Sequence, residues 1–354
     1  MYKYHLHDVN WGAFSLSDIF EIETCKCSKV AALTEGKIPY IGATNRNNGV
    51  LSFVDGDSTL ITKGNCMAFI CDGEGSIGYS MYKKEDFIGS TTVKVGRNNK
   101  LNKFNAKFIS TVADTIRSKY NFGFKRNEAH LKKEILQLPI DNENQPNWHF
   151  MEEYIKEREN KQRQDLKEYY KNRLLDLVIC PKVLTDVAWG EFLIKNIFTI
   201  EAVKGKPVKN YTRGTTPYVT TSSLNNGVTH FICANNKISK GKCISIDPIG
   251  GKTFYHEYEF IGRGGAGSAI NLLYNKNLNK QIALFLCSAI EKTSLEKASY
   301  AIALNGDRLR NAKILLPIDE NGNPNWLYME NFIKKIEQNQ IKNILKHLNG
   351  YIYI

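Results

Sequence analysis

The chain lacks the short motifs that mark most enzymes. It has no Asn/Asp-Pro-Pro-aromatic tetrad for adenine methylation, no Walker lysine loop, no HExxH and no GxSxG. Its eight cysteines (25, 27, 66, 71, 180, 233, 243 and 287) form no CxxC pair and have no histidine partners at zinc-finger spacing. That argues against a zinc finger, and reduced, mostly structural thiols are expected. Cys66 and Cys243, each shortly after a Lys-Gly pair, suit small buried hydrophobes. The seven histidines are scattered, and His5 and His7 are read as incidental, not as metal ligands. No apolar run is long enough to span a bilayer, the best being residues 282–290, and the first residues lack the apolar core of a signal peptide. A soluble, cytoplasmic protein is expected.

What the chain does have is positive charge and repetition. Lys and Arg number 48 against 36 Asp and Glu, a net +12, which is the electrostatic footprint of a protein that meets phosphates. Charge alone is weak support, since many basic proteins bind no nucleic acid. A hydrophobic content of 42% with 11% aromatics indicates packed cores and not disorder.

Residues 138–156, LPIDNENQPNWHFMEEYIK, recur at 316–334 as LPIDENGNPNWLYMENFIK. Trp11-Gly12 returns as Trp189-Gly190, Pro39-Tyr40 as Pro217-Tyr218, and Asn47-Asn48-Gly49-Val50 as Asn225-Asn226-Gly227-Val228. All share one offset, 316 − 138 = 178, about half of the 354 residues. A fixed self-similarity of this kind means that one unit was written twice.

Within each copy, clusters of Gly, Asn, Asp and Ser break the early part into short apolar runs, which predicts many short strands and turns. Phe104, Phe108, Val112 and Ile116 then recur at four-residue spacing and predict a helix over about residues 103–119. Residues 149–179 contain no Gly or Pro, carry Glu152 and Glu153 in the first turn, and stop before Pro181, predicting a long helix. Its copy is predicted over 327–348. Met151, Ile155, Leu166, Tyr169, Tyr170, Leu174 and Leu177 on the first, with Met329, Ile333, Ile336, Ile344 and Leu348 on the second, mark apolar seams that need a cover. Each helix is the obvious cover for the other, as an antiparallel coiled coil.

The ordered set formed by the Trp11/Trp189 and Phe20/Phe198 openings, the 39–50 block and the doubled LPID…PNW…ME…IK block resembles the specificity (S) subunit of type I restriction-modification systems. It resembles equally the S-like subunit of bifunctional restriction enzymes. The resemblance spans essentially the whole chain. It implies an α+β fold of two tandem β-rich target-recognition domains, each followed by a long helix, related by a pseudo-twofold internal duplication. The expected divisions are 1–148 and 181–326 for the domains and 149–180 and 327–354 for the spacer helices. The implied function is non-catalytic: reading a bipartite, asymmetric sequence in double-stranded DNA and positioning methyltransferase (modification) subunits, together with a restriction/translocase subunit where the system also cuts. S-adenosylmethionine is expected on the partner subunit and no cofactor on this chain.

Base reading needs paired donors and acceptors on loops that reach a groove. Thr44, Asn45 and Arg46, and in the second copy Thr221, Ser222 and Ser223, supply such groups beside a turn; the shared Asn-Asn-Gly is read as a structural hairpin. Arg46 stands out because its counterpart is Leu224. Lys63 and Lys240, with Lys242 nearby, fit phosphate contacts or solvated lysines equally. Arg117, Lys119, Tyr120, Lys125 and Arg126 interleave cations with aromatics, either as a nucleic-acid surface or as aromatic packing with exposed charge. In the second copy Lys297, Tyr300, Arg308 and Arg310 occupy similar territory with fewer cations. Trp148 and Trp326 are expected to anchor the core at the helix starts. Residues 262–267 satisfy GxGxxG, but the following segment is too short for the helix a dinucleotide site requires, so they are read as a loop presenting Arg263. Two alternatives stand beside the DNA-reading one: a self-contained DNA-modifying enzyme with an unrecognised site, and a coiled-coil protein-binding scaffold.

Overall fold

The computed structural model describes residues 2–27, 30–121, 123–179, 187–233, 238–265, 269–294, 303–304 and 306–350. Cys180, Lys297 and Tyr300 lie outside them. The chain divides into two compact units, Met1–Leu166 and Lys167–Ile354, with the boundary inside the first long helix and not at its start.

In the first unit the strands are β1 (Trp11–Ser15), β2 (Glu21–Thr24), β3 (Thr34–Ile41), β4 (Val50–Asp55), β5 (Ile61–Thr62), β6 (Cys66–Ile70), β7 (Ser80–Lys83), β8 (Phe87–Gly89), β9 (Val93–Arg97) and β10 (Ile135–Pro139). The helices are α1 (Leu16–Ile19), α2 (Lys103–Thr115), α3 (Glu128–Lys132) and α4 (Trp148–Asp176). β1 pairs antiparallel with β10, β2-β9-β6-β7 form an antiparallel sheet, and β4-β3-β8-β5 a mixed one. The predicted four-residue periodicity is the buried face of α2, where Phe104, Phe108 and Ile109 pack with Phe20, Phe69 and Met151. Its Asn102 caps the first turn reciprocally with Asn105, and the helix ends at Thr115, short of the predicted Lys119, giving way to a 3-10 turn over Arg117–Lys119.

The second unit repeats this order, without a counterpart of β5 among the described residues: β11 (Trp189–Leu193), α5 (Ile194–Ile197), β12 (Thr199–Ala202), β13 (Arg213–Val219), β14 (Val228–Ile232), β15 (Cys243–Ile246), β16 (Thr253–His256), β17 (Ile261–Gly262), β18 (Asn271–Tyr274), α6 (Lys280–Ser294), α7 (Gly306–Arg310), β19 (Lys313–Pro317) and α8 (Trp326–Gly350). Its sheets are β11-β19, β12-β18-β15-β16 and β14-β13-β17.

The repeated motifs turn out to be backbone devices. In LPID, Leu138 and Leu316 are buried strand residues, and Asp141 and Asp319 close an Asx turn by accepting from two backbone amides each. In PNW, Asn147 and Asn325 accept from the third amide of α4 and α8, so they are the N-caps, and Trp148 and Trp326 pack into the two cores as expected. The Trp-Gly openings follow from crowding: a Cβ on Gly12 or Gly190 would lie 2.7 or 2.8 Å from a methyl of Ile140 or Ile318.

Lys63-Gly64 and Lys240-Gly241 recur for the same kind of reason. A Cβ on Gly64 would lie 2.1 Å from the Lys84 carbonyl oxygen, and one on Gly241 would lie 2.3 Å from that of Glu257. Gly64→Ala and Gly241→Ala are each expected to cost about 1–3 kcal/mol, because rigid backbone must move. Denaturant melts of the two variants would show it, and a loss below a few tenths of a kcal/mol would mean that the strands part freely.

Beyond Phe150 and Met151, which seat α4 in the first core, the stripe predicted along that helix is not buried throughout: Leu166 and Tyr169 are exposed. Within the second unit, Arg173 makes a bidentate ion pair with Glu337 at 2.6 and 3.0 Å, and Gln338 donates to the Leu177 carbonyl at 2.7 Å, so the end of α4 meets α8. No described helix is long and apolar enough to cross a membrane.

Candidate nucleic-acid interface

The loop between β3 and β4 carries Thr44, Asn45 and Arg46. It closes with Asn47, Asn48 and Gly49 all at positive φ, matched by Asn225, Asn226 and Gly227. Three successive left-handed residues explain the shared Asn-Asn-Gly as a structural requirement. Thr44 Oγ1 accepts from the Arg46 amide, and Ser222 Oγ accepts from the Leu224 amide, so the two loops share a frame. Arg46 and Leu224, the latter 70% exposed, project from equivalent places.

A segment that sequence reading did not single out, residues 71–79, lies against this loop. Asn45 donates to the Gly75 carbonyl at 3.3 Å and Ser76 to that of Ala43 at 3.1 Å. From the other side, Lys125 pairs with Asp72 at 2.8 Å and the Arg117 guanidinium sits 4.1 Å over the Tyr79 ring. A cleft of about 390 Å³ opens between them, lined by Asp72, Glu74, Tyr79, Arg117 and Tyr120 among others. Thr44, Asn45, Arg46, Arg117, Lys125 and the exposed Lys119 therefore gather around one segment. Lys63 does not join them. It precedes β6, whose far end leads into 71–79, and it pairs with Asp86 at 2.9 Å.

One predicted contact needs correction. Arg126 has no exposed surface, so it cannot touch a duplex. Its guanidinium forms a two-pronged ion pair with Glu134 and donates to the carbonyls of Gly78 at 3.0 Å and Tyr79 at 3.2 Å, and to Ser80 Oγ at 3.1 Å. Tyr120 is half-buried beside it and donates to Glu134 at 2.8 Å; burial, then the neighbouring carboxylate, raises its phenol above the ordinary value. The alternation of cations and aromatics here is partly a core network. Its counterparts 178 residues on are Leu304 and Ala312, for the Leu16 and Ile194 amides bond the Glu134 and Ala312 carbonyls in the same way.

In the second unit Thr221, Ser222 and Ser223 lie on the loop between β13 and β14. The facing turn, 247–252, is shorter than 71–79 and closes on itself: Asp247 accepts from the Ile249 and Gly250 amides, and its own amide bonds the Lys252 carbonyl. Arg263 is exposed, and its amide bonds the Val219 carbonyl at 2.8 Å, next to the 220–227 loop. A Cβ on Gly264 would lie 2.8 Å from the Gly205 carbonyl oxygen, and the next described element is strand β18, not the helix a dinucleotide motif would open. Lys240 and Lys242 are exposed, the latter in the left-handed conformation that Asn65 adopts in the first unit, and Arg308 is exposed on α7. Burial pushes the Cys66 and Cys243 thiols up to about 12, so both stay neutral as packing groups.

Residues 8–168 and 186–347 each match the family model described as the type I restriction modification DNA specificity domain. Over 158 residues, 44% of this chain, the sequence is 31% identical to the specificity subunit S.BcgI of the type II restriction enzyme BgcI from Heyndrickxia coagulans. That match spans 46% of the relative, about half its length. The fold is similar to the crystal structure of the type I restriction-modification system S subunit from M. genitalium, with a TM-score of 0.57 and 17% identity, covering 97% of this chain and 94% of that one. With both copies matched and nearly all of the sequence spanned, the chain belongs to the type I restriction-modification specificity subunit family.

Proposed function

We propose that the chain is the DNA-reading subunit of a restriction-modification complex. Each unit recognises one part of a split, asymmetric target, and the chain positions methyltransferase subunits, which carry S-adenosylmethionine, and a restriction/translocase subunit where the system cuts. It has no chemistry of its own and works in the cytoplasm. The observation that carries this reading is the pattern of likeness between the units. Caps, Asx turns and crowded glycines are kept, whereas the loops differ: Arg46 against Leu224, and 71–79 against 247–252. A common scaffold with divergent loops suits two different half-sites, and the +12 charge suits phosphate contact. In this reading α4 and α8 pack lengthwise as an antiparallel coiled coil and act as the spacer. A helix of 29 residues is about 44 Å long, the scale of roughly 13 base pairs.

Titrating the full chain with a randomised duplex library should yield one bipartite sequence that tolerates any base in its central spacer. Affinity should fall roughly a thousandfold between about 50 and 200 mM salt. Equal binding to all sequences across the salt series would refute the proposal. Methyl transfer by the chain alone, given DNA and S-adenosylmethionine, would refute its non-catalytic part.

A further inference from the structure

We propose that residues 72–79 form the sequence-determining loop of the first unit, with Glu74 accepting from the exocyclic amino group of a cytosine and the buried Arg126–Glu134 pair positioning the loop. This rests on the DNA-reading role proposed above. Glu74 is exposed at the tip of the segment, between Gly73 at φ +106° and Gly75 at φ +71°. Both sides of the tip are tied down, Gly75 by Asn45 and Asp72 by Lys125 and its own bond to the Gly73 amide. Asp72 is thus engaged, whereas Glu74 makes no hydrogen bond or ion pair among the described residues.

The exposed charges on the adjoining loop and turn, Arg46 and Lys119, are cationic and suited to a phosphate backbone, while Lys125 is paired with Asp72. A carboxylate facing phosphates is repelled. One facing a major-groove edge finds the cytosine N4 amino group as a donor, and the neighbouring cations hold the duplex while it does so.

The positioning role comes from comparing the two units. A buried ion pair is poor as a stabilising device, because desolvation offsets most of its attraction. The second unit places Leu304 and Ala312 in the same positions and has the short, self-closed turn 247–252. The buried pair and the longer segment occur together, and the pair's remaining donors go to Gly78, Tyr79 and Ser80, where that segment returns to the sheet. Arg126 therefore fixes the direction in which the loop leaves β6 and re-enters β7.

The test is the base preference at every position of the target, measured by selecting a randomised duplex library with the full chain and its variants. Wild type should prefer cytosine at one position of one half-site. Glu74→Gln should turn that position toward adenine, which pairs with an amide, changing the cytosine-to-adenine ratio about tenfold, and Glu74→Ala should erase the preference there. Arg126→Leu with Glu134→Ala should flatten discrimination throughout that half-site and leave the other unchanged. A merely structural role would lower the bound fraction for all sequences alike and leave those ratios intact. Arg126→Lys, which keeps the charge but loses the fork, serves if the double variant does not fold. Unchanged profiles for both Glu74 variants would overturn the base assignment. Intact ratios in the folded Arg126 variants would overturn the positioning role. A wild-type chain with no preferred sequence would overturn the DNA-reading role itself, and this inference with it.

Discussion

Arg126→Leu alone is expected to cost about 3–5 kcal/mol, while adding Glu134→Ala should return at least half of that loss. The single change leaves the Glu134 carboxylate only 2% exposed, with the Tyr120 hydroxyl as its remaining side-chain donor among the described residues. It must then take up a proton or draw in water, and either is costly. The double change removes both charges and installs the residues the second unit carries at those places, where Leu304 is buried and its amide bonds the Pro248 carbonyl. What it does not restore is a donor for the Gly78 carbonyl, whereas that of Tyr79 keeps the Ile70 amide, so recovery stays incomplete. Denaturant unfolding, followed by hydrogen exchange of first-unit amides, separates the cases. A single variant as stable as the double would show that water already reaches the pair.

How much of this was legible in the sequence depended on what each residue does. The doubled LPID and PNW blocks could be read because Asp141, Asn147 and their copies bond backbone groups a fixed number of residues away, which preserves both residue type and spacing. The periodicity of α2 was legible for the same local reason. Arg126 was misread because a buried cation looks like an exposed one until its partner is known, and Glu134 lies on the far side of α3. A signal did exist: across the repeat, Arg126 becomes Leu304 and Glu134 becomes Ala312, so both charges vanish together. The 71–79 segment was missed because insertions blur the repeat there. The same blurring hid a shared device, in which Asp114 accepts from the Ser80 amide and Glu291 from the Thr253 amide, tying α2 to β7 and α6 to β16. Along α4, apolar periodicity marked a stripe but could not show that Leu166 and Tyr169 stay exposed, because periodicity is blind to what lies opposite.

Acid should weaken the second unit through His256. The ring is fully buried, with Nε2 2.8 Å from Ser245 Oγ, Phe260 at 4.6 Å, Tyr258 at 5.8 Å, and no partner at Nδ1 among the described residues. Among the described residues no carboxylate pairs with it, and burial pushes it down from 6.5 to about 4. The folded state thus holds the neutral ring while the unfolded chain takes up a proton near the ordinary value. Stability is fully present above about pH 6.5 and declines as pH falls toward 4, by on the order of 3 kcal/mol across that window. The first unit offers a contrast. Cys66 faces Lys83 across its strand pair where Cys243 faces His256, and Lys83 donates to the Asn48 carbonyl at 2.8 Å. A lysine there is already charged in the unfolded chain from pH 7 to 4, so unfolding in acid is not driven by proton uptake at an ordinary value inside that window. Denaturant midpoints at pH 7 and 4.5, with exchange protection read separately in each unit, should show the second unit losing protection first. His256→Gln should flatten that dependence, since an amide does not titrate in this range. If the variant loses as much stability in acid as the parent, the acid sensitivity belongs to the carboxylates and not to this ring.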